Sequence, residues 1–263
     1  MNLRIVRALL MKTAFVWSRS TFRVMDVFFW PLIDLLVWGY LTAYMLKVGA
    51  GVSSLITFFI AAIILWNVLY RAQQVISVSF LDDAWSRNLL NIFVAPIRTS
   101  EYIGAAYIVG LIQSVVIVCF LGVLAILIYS YNLFALGISG ALLFCNLILM
   151  GWSLGLLTTG FILRFGQPAE GLAWALPFLI QPVSAVFYPL SILPAWLQPI
   201  ASCIPSTHVF EGMRQIVAKG FLDWHYLQNA FLLNIVYMIV CAIVFNFLFE
   251  ETKRMGNLGK YGQ

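Results

Sequence analysis

The sequence predicts an all-α integral membrane protein that crosses the bilayer as six helices. Three observations carry that expectation. Of the 263 residues, 63% are apolar and only 10% are charged. Mean hydropathy is +0.97, and the apolar residues gather into long runs separated by short polar connections. A soluble domain of this size carries about a quarter of its residues as charges to solvate its surface. Here the outside must face hydrocarbon, whose core about 30 Å thick takes roughly 20 apolar residues per helical span.

Residues 1–25 alternate cations with an apolar stripe. Leu3, Val6, Leu10, Ala14 and Trp17 recur at helical spacing, with Arg4, Lys12, Arg19 and Arg23 largely off it. This predicts an amphipathic helix in the headgroup plane, cations toward anionic lipid. It is no cleavable leader, because the apolar run that follows it is long enough to span. Six spans are expected at about 27–46, 54–74, 103–129, 136–163, 169–187 and 227–249, within a membrane domain of residues 26–251, and a tail follows at 252–263. With the N-terminus inside, twelve of the fifteen basic residues fall on the inner side; Lys47, Arg214 and Lys219 fall outside. That imbalance places both termini in the cytoplasm of a multi-pass protein of the plasma (bacterial inner) membrane. Cys119, Cys145 and Cys241 lie in apolar runs, so Cys203 has no external partner and no disulfide framework is expected. No internal repeat of the kind built into many secondary carriers is visible.

Two connections stand apart. Residues 81–98 open with Asp82 and Asp83, carry Trp85, Leu89 and Ile92 as an i, i+4, i+7 stripe around Arg87, and end at Pro96. Acids at the start suit a helix dipole and the proline stops the helix. A short amphipathic cytoplasmic helix is expected, either a plain interfacial element or a docking element for a partner. Residues 188–226 are apolar, yet Pro189, Pro194, Pro199 and Pro205 interrupt them every five or six positions. One spanning helix would lose backbone hydrogen bonds that hydrocarbon cannot replace. Short external re-entrant helices between spans five and six are predicted instead, with Glu211 and Arg214 paired at i, i+3.

Candidate chemistry is sparse. Gly151-Trp152-Ser153-Leu154-Gly155 matches the G-x-S-x-G pattern of serine hydrolases, but lies mid-span, with His208 and His225 both in the external region. Glycines four apart are the usual means of close helix approach in membranes. Neither histidine sits at metal-ligand spacing, and no metal is expected. Asp34 is the one acid well inside an apolar run, about two turns from the inner end of its span, with Asp26 at the edge and Arg71 the nearest plausible counter-charge. An intramembrane acid is a functional candidate by default, snorkelling or pairing being the alternative. No G-x-x-x-x-G-K-[ST] phosphate loop occurs, so any ATP must be bound by another chain.

Taken together, three stretches resemble the membrane-spanning permease subunits of type-2 ABC exporters: FFWPLIDLLVWGY around Pro31, DDAWSRNLLNIFVAPIRTSEYIGA before the third span, and FYPLSILPAWLQPIASCIPSTHVFEGMRQI. In the last of these the matching positions are Pro189, Pro194, Trp196, Leu197, Pro205, Glu211 and Arg214. Where many members carry Glu-Arg before the cytoplasmic helix, this chain has Asp82, Asp83 and Arg87. The resemblance implies a permease, usually a homodimer, each copy docked on a cytoplasmic ATPase subunit that binds ATP and magnesium. The 81–98 helix would be the coupling helix, with Asp82, Asp83, Trp85, Arg87, Leu89, Ile92 and Pro96 as ATPase-coupling residues. Pro189, Pro194, Trp196, Pro205, Glu211 and Arg214 would form an external gate. The chain itself would be no enzyme and carry no cofactor. Sparse charge and 16% aromatic residues favour a hydrophobic or amphipathic, drug-like or lipid-like cargo. Polysaccharide or glycolipid export is the alternative within the family. A stand-alone channel or secondary carrier, and an intramembrane hydrolase using Ser153, are the competing classes. Membrane lipid is also expected as a partner, and no nucleic acid is.

Overall fold

The computed structural model describes residues 2–48, 53–86, 88, 92 and 95–255. Every regular element among them is helical. In chain order the α-helices are α1 Leu3–Ser18, α2 Thr21–Lys47, α3 Ser53–Trp85, α4 Thr99–Tyr129, α5 Gly137–Phe165, α6 Leu172–Ile180, α7 Gln198–Ser202, α8 Pro205–Lys219 and α9 Trp224–Arg254.

α3 is the axis of the bundle. Ile60, Ala61, Ala62, Ile64, Val68, Leu69 and Ala72 along it have no solvent exposure, and α2, α4, α5, α6 and α8 all pack on it. The helices around it keep large side chains outward, such as Val115 and Leu127 on α4 or Ile239 and Phe247 on α9. That distribution, apolar inside and out, is what hydrocarbon as solvent requires.

Small residues let α5 reach the axis. A Cβ built on Gly151 would lie 2.8 Å from the Leu69 carbonyl oxygen, and one on Gly155 would lie 2.9 Å from that of Gln73. Polar groups then join the helices level by level. Gln73 Nε2 donates to Ser77 Oγ and to Thr158 Oγ1, both at 3.2 Å. Asn234 Nδ2 donates to both oxygens of Asn146 at 3.0 Å, Thr252 Oγ1 donates to the Leu163 carbonyl, and Arg164 pairs with Glu251. Such interhelical bonds contribute about 0.6 kcal/mol each, up to roughly 1.7.

Among the described residues, five helices are long and apolar enough to cross a membrane: α2, α3, α4, α5 with the 3-10 turn before it, and α9. The expected fifth span at 169–187 differs. Its α-helix, α6, has nine residues, with 3-10 turns at Gln167–Ala169 and Gln181–Val183 on either side. Pro177 lies inside α6 and Pro182 is the second residue of the second turn, so amide donors are lost where an unbroken span would need them. The interface helix is also shorter than expected. α1 ends at Ser18, and residues from Thr21 onward already belong to α2. Its buried side chains are Val6 and Leu9, set against Ala105, while Leu3 is exposed. Part of its apolar face is therefore covered by α4 rather than by lipid.

Candidate functional site

Beyond the interhelical bonds above, three polar assemblies stand out among the described residues: one at the end that carries α1, one inside the bundle, one at the opposite end.

At the α1 end, the expected coupling segment is not one separate helix. Asp82, Asp83 and Trp85 form the last turn of α3, which runs on past the expected boundary at residue 74. Its 33 residues give a rod of about 50 Å, some 20 Å longer than the hydrocarbon core. Two acids at a helix C-terminus oppose the dipole, and they are held by cations from other elements. Lys12 of α1 pairs with Asp83 and Arg23 of α2 pairs with Asp82. Tyr102 Oη donates to Asp83 Oδ2 at 2.9 Å. Glu101 joins the same region: its carboxylate accepts the Arg98 amide at 3.0 Å, capping α4, and the Asn2 amide at 2.6 Å, anchoring α1. Trp85 is half exposed, its Nε1 donating to Glu170 ahead of α6. Of the other coupling candidates, Ile92 is buried and Pro96 lies exposed in a turn. Arg87 and Leu89 lie outside the described residues.

Inside the bundle, Arg71 of α3 is 4% exposed. Sequence reading offered it as counter-ion to Asp34; it serves Asp26 instead, at 3.8 Å. Its Nη2 also donates to the Val27 carbonyl at 3.3 Å and its Nη1 to Gln74 at 2.9 Å. Pro31 explains the carbonyl contact. Lacking an N–H, it leaves the carbonyl four residues earlier, that of Val27, without its helical donor, and the guanidinium supplies one. Asp34 and Asn67 line one cavity, and the Asn67 amide donates to the Ile63 carbonyl at 3.0 Å. Because α2 starts at Thr21, Asp34 lies nearly four turns inside the helix rather than two. A cavity of about 410 Å³ opens beside these groups, between α2, α3 and α6.

At the opposite end, the 188–226 segment consists of short pieces: a 3-10 turn at Leu190–Ile192, then α7 and α8. α8 presses Val209, Phe210 and Met213 into the core with no exposure, while Pro189, Pro194 and Trp196 are exposed and Pro205 is buried. Arg214 pairs with Glu211 at 2.6 Å. The Glu211 carboxylate also accepts the Leu190 amide at 2.7 Å, and Arg214 Nη2 donates to the Ala185 carbonyl at 3.1 Å. The guanidinium lies over the Phe58 ring at 4.3 Å. Burial pulls the Arg214 pKa down, and the adjacent Glu211 charge opposes that shift. This one pair thus fixes the turn around Ala185, a buried residue at φ 51°, onto both α8 and the start of α3.

Ser153 has no hydrolytic setting. It is fully buried, its Oγ donating to the Leu149 carbonyl at 2.9 Å, and both histidines lie toward the other end of the bundle. Among the described residues no cluster of acids, histidines and cysteines could hold a metal. Sequence reading missed Lys12, Arg23 and Glu170, whose partners are remote in sequence. It also missed the Arg71–Val27 contact, for which Pro31 in an apolar run was the available signal.

Comparison with known proteins bears on the family. The family profile described as ABC-2 family transporter protein matches residues 41–249. ABC transporter G family member 20 of Dictyostelium discoideum is 29% identical over 179 residues, which are 66% of this chain and 24% of that relative. The chain therefore spans about a quarter of the relative it matches.

Proposed function

Because the chain belongs to the ABC-2 family of transporters, we propose that it is the membrane-spanning permease of an ATP-driven exporter, moving a hydrophobic or amphipathic cargo outward. A separate cytoplasmic ATPase subunit docks at the α1 end, which faces the cytoplasm of the plasma membrane together with both termini. That ATPase holds the ATP and magnesium. Two copies of the permease pair, and the run Gln167–Val183 serves as a sixth crossing. Counted as 3-10 and α turns it is roughly 28 Å long, close to the hydrocarbon thickness.

One observation carries the coupling reading. α3 is a single buried rod from Phe58, under the Arg214 guanidinium, to the exposed Trp85. Its flank carries Asn67 and Arg71 past the cavity. A push on Trp85 moves the one element that touches all three polar assemblies. A half-exposed tryptophan on a rigid helix is also the kind of anchor that dominates protein contacts.

The test is co-purification from native membranes. The tagged chain should bring down a nucleotide-binding subunit and show substrate-stimulated ATP hydrolysis. A well-folded chain that never retains such a subunit overturns the proposal.

A further inference from the structure

The cavity between α2, α3 and α6 contains a charge imbalance. Asp26 is matched by Arg71. The two Nη groups of Arg71 are engaged by Asp26, Val27 and Gln74, leaving only its Nε without an acceptor. Asp34 borders the same cavity, and among the described residues no cation lies within 4.0 Å of it. Asn67 on the same cavity wall is polar but carries no charge. An unmatched carboxylate this deep in a membrane protein costs several kcal/mol, and a cation entering the cavity would recover that energy.

The walls suit a particular kind of cation. Trp30, Trp66, Tyr70 and Trp174 line the cavity, and Trp30 and Trp174 are also open to the bundle surface. Tryptophan faces are the best aromatic partners for a cation, and more so once water is excluded. A small hydrated ion would gain little from them, whereas a cation wrapped in apolar groups would gain from both rings and carboxylate.

We propose that this cavity is a binding site for lipophilic cations, with Asp34 as the counter-charge. The proposal deepens the transport reading by naming a substrate class, and rests on it for its physiological meaning.

Tetraphenylphosphonium and tetraphenylborate, nearly equal in shape and opposite in charge, are suitable probes. Equilibrium dialysis of both against the purified full chain in lipid nanodiscs measures binding directly. Saturable phosphonium binding is expected, tighter than borate binding. Asp34→Asn should weaken phosphonium binding about tenfold and leave borate no weaker. Asp34→Glu should restore most of the phosphonium affinity. Should the Asn variant not yield a monodisperse protein, Trp174→Leu is expected to weaken phosphonium binding several-fold. Equal affinity for the two ions, no saturable phosphonium binding, or no loss in either variant overturns the proposal. If binding behaves as expected but vesicles holding the native complex and ATP do not move phosphonium, the transport reading fails and the binding site stands.

Discussion

The two ends of the bundle solve the same problem with opposite means. At the α8 end, Glu211 and Arg214 are local, three residues apart, mostly buried, and tie backbone groups of the 185–190 turn to one helix. At the α1 end, Asp82 and Asp83 are held by Arg23 and Lys12, whose side chains are about one-third exposed and come from different helices. Charges buried with backbone partners set a rigid structure, because breaking them strands polar groups out of water. Long, part-solvated side chains are screened by salt and exchange more readily, most of all at Arg23–Asp82 where both partners are part-exposed, while Asp83 itself is buried. The α8 end is thereby the more firmly held of the two, and the α1 end the more open to exchange.

The contrast can be broken or sharpened by substitution. The largest effect is expected at the axis both ends share. Gly155→Leu drives a side chain into the α3 backbone and should destabilise by about 3 kcal/mol or more, read as loss of monodisperse protein after detergent extraction. Glu211→Ala removes the acceptor for Leu190 and the partner of Arg214 together. With both side chains about one-fifth exposed, a loss of roughly 2–3 kcal/mol in thermal or denaturant stability is expected. Arg23→Ala removes one charge from the α1 end, at a pair whose two side chains are both part-exposed, and should cost under about 1 kcal/mol. High salt should abolish that α1-end cost while leaving the Glu211 effect nearly intact. Equal costs at the two ends would remove the distinction. Trp85→Ala should be smallest in stability, within about 0.5 kcal/mol at an exposed position, while impairing the response to ATP.

How legible each region was follows from the range of its interactions. Long apolar runs announce spans by composition alone, which is why 103–129, 136–163 and 227–249 fall within α4, α5 together with the 3-10 turn before it, and α9. The Gly151 and Gly155 contacts were readable because their spacing repeats on one helix face, and the Glu211–Arg214 pair because it is local. In segment 169–187 high hydropathy hides the breaks, since Pro177 and Pro182 limit its α-helix to nine residues. Asp82 and Asp83 look alike at a helix start or a helix end. Only cations 59 and 71 residues away decide between the two, and spacing along the chain does not reveal them. The partner of Arg71 depended on a carbonyl freed by Pro31, a rule stated by the backbone rather than by hydropathy.

The most direct test of the coupling account is ATP hydrolysis by the complex isolated on the tagged chain, compared between the native protein and Trp85→Ala with and without transported substrate. The account predicts that the variant keeps its thermal stability and loses most of the substrate-stimulated rate. Full stimulation in a variant of unchanged stability would contradict it.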